Sequence, residues 1–174
     1  MKNIIYAVKD LFCNFLNWHG RLSKQGYWYA WLGVFIVNIL LLLPLNDLDV
    51  LQTNKIFFCA IRLWNVITFF PMLFAAMRRY HDIGKAGWKV IIFSVFGKIS
   101  FFTGIILTCM TLLVFLFSAG ADVNMSGFFR LMILSIFLLL IGGVLFIINI
   151  VFLLRPSDSI ENTYGKPKPF CSNK

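Results

Sequence analysis

The feature that most limits the folds open to this chain is a succession of four long apolar runs. They cover residues Tyr27–Leu45, Ile56–Met77, Val90–Phe117 and Phe128–Leu154. About 18 or more apolar residues in a row mark a membrane span, because a helix rises about 1.5 Å per residue and the hydrocarbon core is about 30 Å thick. Only 13% of the residues are charged, against about 25% in soluble domains. The sequence therefore predicts an all-α membrane protein with four transmembrane helices.

The third run is longer than a straight span requires, and Gly97-Lys98 interrupts it. One interpretation is a single tilted span over residues 90–117. The other is a shallow segment before Lys98, followed by a span that begins near Ile99. The sequence alone leaves both open.

An amphipathic pattern occupies residues 2–19, ahead of the first run. Its apolar residues recur at helical spacing (Ile4, Ile5, Val8, Leu11, Phe12, Phe15), and its charges lie elsewhere on the wheel (Lys2, Lys9, Asp10). This pattern predicts an N-terminal interfacial amphipathic helix rather than a cleavable signal peptide. A helix packed on the cytoplasmic end of the bundle fits equally well. Ser23 is a candidate N-cap for the helix that follows.

Basic residues predict the orientation. Three segments carry them: Lys2, Lys9, Arg21 and Lys24; Arg78, Arg79, Lys85 and Lys89; Arg155, Lys166, Lys168 and Lys174. The other two loops offer Lys55 and Arg130. The positive-inside rule then places both termini and the central loop in the cytoplasm. The predicted organisation is a cytoplasmic segment 1–26 with a Gly-Arg motif, a four-span domain 27–154 with a cytoplasmic loop 78–89, and a cytoplasmic tail 155–174.

The cysteines and the dispersed charge narrow the expected ligands. The four cysteines (Cys13, Cys59, Cys109, Cys171) show no paired spacing. On this topology they lie in membrane runs or on the reducing side, so we expect no disulfide, no metal site and no cofactor. The basic residues are divided among three short segments at a membrane, which disfavours a nucleic-acid partner.

Three motifs resemble a known family when taken in order. They are Gly20-Arg21-x-Ser23-Lys24-x-x-Tyr27-Trp28, Arg78-Arg79-x-His81-Asp82-x-Gly84-x-x-Gly87-Trp88 and Asn162-x-Tyr164-Gly165-x-Pro167. This order resembles the domain of unknown function 805 family of small bacterial inner-membrane proteins, over nearly the whole chain. The resemblance implies a multi-pass protein of the bacterial inner (plasma) membrane. It implies no reaction, because the family has no assigned activity.

The second motif concentrates the polar residues. If the second helix continues past the lipid, Arg78, His81, Asp82 and Lys85 share one face. Asp82 can then pair with Arg78 and with either Lys85 or Arg79. Gly84 and Gly87 are expected to end the helix. The simplest interpretation is an orienting loop with a local network of ion pairs.

A functional interpretation makes the three motifs one binding site. The candidate ligand-binding residues are Arg21, Arg78, Arg79, His81, Asp82 and Lys85. Basic pockets on the cytoplasmic side of a bundle bind anionic lipid headgroups. We therefore expect a non-enzymatic protein that binds an anionic lipid or a partner protein, with Asp82 holding the arginines in place. A homo-oligomer or a complex with another membrane protein is compatible with this expectation. Adjacent residues His81 and Asp82 face different sides of a helix, which disfavours a catalytic pair.

An alternative rests on polar residues inside the runs. Arg62, Asn65 and Lys98 are costly in lipid and by default suggest a pathway or a paired site. The runs contain no acidic residue to pair with them, which argues against a proton relay. The alternative function is a small transporter or channel component.

Overall fold

The computed structural model describes residues 1–42, 55–117 and 125–167. Its helices are α1 (Lys2–Cys13), α2 (Lys24–Leu42), α3 (Lys55–Asp82), a π-helical segment (Ile91–Phe96), α4 (Gly97–Phe117) and α5 (Met125–Leu154). The predicted end of the first run at Leu45 and most of the loop 46–55 lie outside the described residues. So do Cys171, Lys168 and Lys174.

Three helical stretches in the described part of the chain are long and apolar enough to cross a membrane. They are Phe57–Asp82, Ile91–Phe117 and Met125–Leu154. The backbone is helical without interruption from Ile91 to Phe117, because the π-helical segment leads directly into α4. Gly97-Lys98 therefore does not break the third run. The described part of the chain is therefore helical, as predicted, and three of the four predicted spans correspond to helices that could cross a membrane.

The chain divides into two compact units. The first combines Met1–Gly87 with Leu153–Lys174. In it α1 contacts both α2 and α3 and buries Ala7 and Leu11. The approach of α1 to α2 depends on Gly33, because a Cβ there would collide with the side chain of Val8.

The second unit is Trp88–Phe152, in which glycines bring α4 and α5 together. A Cβ built on Gly142 would lie 2.5 Å from the backbone nitrogen of Phe101 and 2.8 Å from the carbonyl oxygen of Gly97. A Cβ on Gly104 would lie 2.9 Å from the backbone nitrogen of Leu139. Real Cβ atoms do not approach backbone this closely, so these positions exclude larger residues.

Helix α3 is longer than the predicted second span, and it includes the start of the predicted loop 78–89. It ends at Asp82, where the amide of Lys85 donates to the carbonyl of Tyr80 (2.9 Å) and Gly84 adopts a φ of 66°. Glycine adopts this left-handed conformation at little steric cost. The predicted role of Gly84 in ending the helix is therefore confirmed. At the start of α2, the predicted Ser23 cap is also confirmed, since its hydroxyl accepts the amide of Gly26 (3.2 Å).

Candidate functional site

A buried carboxylate at the end of α3 links two distant arginines. Oδ1 of Asp82 accepts a hydrogen bond from Nε of Arg21 (3.0 Å), and Oδ2 accepts one from Nη1 of Arg79 (2.5 Å). All three side chains are at most 1% exposed. We call Arg21, Arg79 and Asp82 the ionic cluster. It lies within the first unit and joins residues 61 apart in sequence.

Arg21 is saturated with acceptors. Nε donates to Asp82 Oδ1 (3.0 Å), Nη1 to the carbonyls of Ile160 (2.9 Å) and Gly165 (3.1 Å), and Nη2 to those of Asp82 (3.2 Å) and Asp158 (2.5 Å). A guanidinium has five N–H donors in a fixed fork. These five bonds use them all. Arg21 therefore fixes the C-terminal segment to the end of α3.

Arg79 completes the same attachment from the other side. Nε donates to the carbonyl of Leu153 (3.3 Å), Nη2 donates to the carbonyl of Arg155, and Nη1 also reaches Ser157 Oγ (3.4 Å). The last carbonyls of a helix have no partner within the helix, and a cation is favourable beside them. Arg79 supplies both the donors and the charge at the end of α5.

The third motif forms a turn that faces His81. The amide of Tyr164 donates to Asn162 Oδ1 (2.9 Å), and Gly165 closes the turn with a φ of 107°. The ring of Tyr164 stacks on the His81 imidazole, with centroids 3.9 Å apart and planes 7° apart. Nδ1 of His81 lies 3.2 Å from the carbonyl oxygen of Gly20, and Asn162 Nδ2 donates to the His81 carbonyl (2.9 Å). All three motifs therefore meet at one place.

Arg78 does not join the ionic cluster, and the predicted pair between Arg78 and Asp82 is wrong. The oxygens of Asp82 are taken by Arg21 and by Arg79, which is the predicted alternative to Lys85. Arg78 instead places Nη1 3.6 Å from Asp10 Oδ2 on α1. Arg78 is only 4% exposed, yet its Nε and Nη2 have no hydrogen-bond partner in the part of the chain that the structure describes.

The remaining predicted residues lie apart from this cluster. Lys85 follows the end of α3 and is half-buried, so the predicted continuation of the helical face to Lys85 is wrong. Arg62 and Asn65 are exposed on α3, where the Asn65 amide donates to the carbonyl of Ile61 (3.0 Å). Lys98 is exposed on α4 in the second unit.

Sequence reasoning missed two kinds of partner. The backbone carbonyls of Leu153–Gly165 carry no signature in the sequence, because every residue has one. Asp10, the partner of Arg78, did have a signal, since it is the only acidic residue in segment 1–26. Among the described residues, no three His, Cys, Asp or Glu side chains are placed to hold a metal ion.

Comparison with known families confirms the predicted family. The family described as "Protein of unknown function (DUF805)" matches residues 15–121. This chain belongs to the DUF805 family. The match includes Arg21 and the Arg78–Asp82 stretch but ends before the Asn162 turn, so the ionic cluster of this DUF805 chain holds a segment that lies beyond the match. No curated protein and no solved structure matches the chain.

Proposed function

We propose that this DUF805 chain is a non-enzymatic, four-span protein of the bacterial inner membrane that binds an anionic lipid headgroup at Arg78. The burial of Arg78 with two unpartnered nitrogens is the observation that carries the headgroup proposal. The ionic cluster beside it has a different task, which is to hold the N-terminal and C-terminal segments on α3.

The fourth proposed span is α2. It has 19 residues, which is about 28 Å of helix against a hydrocarbon core of about 30 Å. Together with the three stretches identified above, it gives an even number of spans and both termini on one side. The distribution of Lys and Arg favours the cytoplasm for that side. Fusions of a cytoplasm-active and a periplasm-active reporter to each terminus would test the orientation.

The position of α1 supports an interfacial helix. Its apolar residues Ala7 and Leu11 are buried, whereas Lys2 and Lys9 are exposed. A helix of this kind keeps its basic face toward headgroups and water while its apolar face packs inward.

The chemistry of Arg78 favours a phosphate as the ligand. A buried donor without an acceptor is costly, and more so when it is charged. At 3.6 Å the contact with Asp10 is too long for a hydrogen bond. A phosphate could accept both unpartnered donors in the bidentate geometry that a guanidinium prefers. Anionic lipids are the available phosphates at the end of a membrane span.

Two of the predicted ligand-binding arginines are better suited to assembly than to binding. The donors of Arg21 and Arg79 already meet protein acceptors. A headgroup would have to break these bonds before it could bind there. His81 and Asp82 are also engaged, by Tyr164 and by the arginines, so neither presents a free acid or base to a substrate.

Native mass spectrometry from nanodiscs tests the headgroup site. Nanodiscs would contain equal amounts of phosphatidylglycerol and phosphatidylcholine, and the ratio of the two lipids retained by the protein would be measured. We expect the wild type to retain mainly phosphatidylglycerol. The ratio of phosphatidylglycerol to phosphatidylcholine retained by R78Q should be about tenfold lower.

The matched control is R62Q, which removes the same charge from an exposed position on the same helix. It should keep the preference. Retention of phosphatidylglycerol by R78Q, or an equal loss in R62Q, would contradict the proposal. A strong effect of R62Q alone would instead favour the transporter or channel alternative.

A further inference from the structure

An apolar groove lies between α1, α2 and α3 in the first unit. Its volume is about 250 Å³, and its walls include Ile4, Val8 and Phe12 of α1, Val37 of α2 and Trp64 of α3. Gly33 forms part of the wall and permits the close approach of α1. The groove therefore exists because α1 is seated on α2.

We infer that this groove binds the hydrocarbon chain of a membrane lipid. The walls carry almost no polar surface. The one indole N–H in them, that of Trp64, already donates to Asn38 Oδ1 (3.1 Å). A polar ligand would lose its bonds to water and gain none here. An apolar cavity of about 150 Å³ holds a molecule the size of benzene, so this groove has room for a longer stretch of hydrocarbon.

The groove is also open to the place where such chains are found. At its rim, Ile5 is 68% exposed and Ile36 is 42% exposed. Trp64 lies within the candidate span Phe57–Asp82. Because this stretch is long and apolar enough to cross a bilayer, acyl chains would lie alongside it and could reach the rim of the groove. A lipid chain can enter it without crossing water.

This site is separate from the proposed headgroup site, because its walls contain neither Arg78 nor Asp10. It does not require an anionic lipid. A variant that fills the groove should leave the preference for phosphatidylglycerol unchanged, and R78Q should leave the groove occupied.

Bromine quenching of tryptophan fluorescence tests the groove directly. The full-length protein would be placed in nanodiscs of phosphatidylcholine with brominated acyl chains and compared with nanodiscs of the unbrominated lipid. The emission of Trp64 is obtained in each background as the difference between the protein and the same protein with the additional change W64F. We expect bromine to quench at least half of the Trp64 emission in the wild type and in R78Q, but V37F, which fills the groove, to reduce that quenching at least twofold.

The matched control is V66F, which adds the same volume at an exposed position of α3 outside the groove. It should be quenched like the wild type. If V37F does not fold, I36F fills the groove from its exposed rim and should give the same result. Quenching of Trp64 that is equal in V37F, I36F and V66F would overturn the inference, as would a Trp64 that bromine does not quench. If R78Q did not change the preference for phosphatidylglycerol, only the proposed headgroup site would be overturned.

A second measurement identifies the molecule that supplies the hydrocarbon chain in the groove. Native mass spectrometry of the same samples gives the mass of any retained molecule. A retained diacyl lipid in V66F that is lost in V37F supports the inference. A retained free fatty acid or detergent in place of a diacyl lipid would overturn the assignment to a membrane lipid.

Discussion

The two compact units use different physics to hold their parts together. In the first, buried charges make directed hydrogen bonds, and Asp82 joins Arg21 to Arg79. In the second, Gly142 and Gly104 let two helices meet backbone to backbone. Lipid tails are as apolar as a leucine side chain, so the hydrophobic effect does not hold helices together in a bilayer. Close packing of small residues and polar bonds are the alternatives, and this chain uses both.

The two units should therefore respond differently to amino-acid substitutions. The ionic cluster depends on charge, so removal of one member leaves the others buried and unpaired. The glycine contacts depend on volume, so their disruption should grow with the size of the added group. The predictions below test this difference, each by thermal unfolding of purified protein in one detergent.

The largest effect is expected for D82N. It removes the carboxylate that accepts hydrogen bonds from both Arg21 and Arg79, and breaking a buried pair in this way costs about 3–5 kcal/mol. D158N is the matched control, because Asp158 is exposed, its carboxylate acts on Arg79 without an ion pair, and its backbone carbonyl, which binds Arg21, is retained. It should unfold close to the wild type. Equal melting temperatures for D82N and D158N would contradict the role of the ionic cluster.

Exchange of arginine for lysine should lower the stability by different amounts at two neighbouring positions on α3. R79K keeps the charge but loses the fork that reaches Leu153, Arg155 and Asp82, and we expect a cost of about 1.5–3 kcal/mol. R78K should cost less, because Nε and Nη2 of Arg78 have no partner among the residues that the structure describes and a lysine can keep the ion pair with Asp10. If the two variants melt alike, hydrogen-bond geometry is not what distinguishes these positions.

Adjacent glycines on α5 provide the corresponding test in the second unit. G142A places a Cβ against the backbone of Phe101 and should cost about 1–3 kcal/mol. G143A meets nothing within 4 Å, and it should be neutral or stabilise the helix by up to about 1 kcal/mol. An equal effect of both changes on unfolding would exclude close approach as the reason for Gly142.

The smallest effect is expected at the stack between the rings of His81 and Tyr164, which joins α3 to the C-terminal segment. Y164A removes the ring that stacks on His81 and should cost about 0.5–1.5 kcal/mol. Y164F keeps the ring and serves as the control. An equal loss in Y164F and Y164A would show that the hydroxyl, and not the stacked ring, stabilises this contact.

Several features of the fold could be predicted because they depend on local patterns. The apolar runs predict the long helices, since run length and hydrocarbon thickness are directly related. The end of α3 at Gly84 and the Ser23 cap follow from the backbone preferences and hydrogen-bonding capacity of those residues. The pair of Asp82 with Arg79 follows from helical spacing.

The partners of the other charges could not be predicted in the same way. Helical spacing alone makes Arg78 as good a partner for Asp82 as Arg79. The choice depends on which side of α3 meets Arg21 and the carbonyls of Leu153–Gly165, which are distant in sequence. The groove beside Trp64 is equally hidden, because it requires the seating of α1 on Gly33.

The sequence by itself determined the all-helical class, the long apolar helices, the start of α2, the end of α3 and the three motifs that meet in the structure. Only the tertiary structure decided that every guanidinium nitrogen of Arg21 and Arg79 has an acceptor while Nε and Nη2 of Arg78 have none among the described residues. The physical reason is that hydrophobicity and backbone preference act over a few residues and can be read along the chain. The satisfaction of a buried guanidinium depends on acceptors that only the folded chain brings within hydrogen-bonding distance.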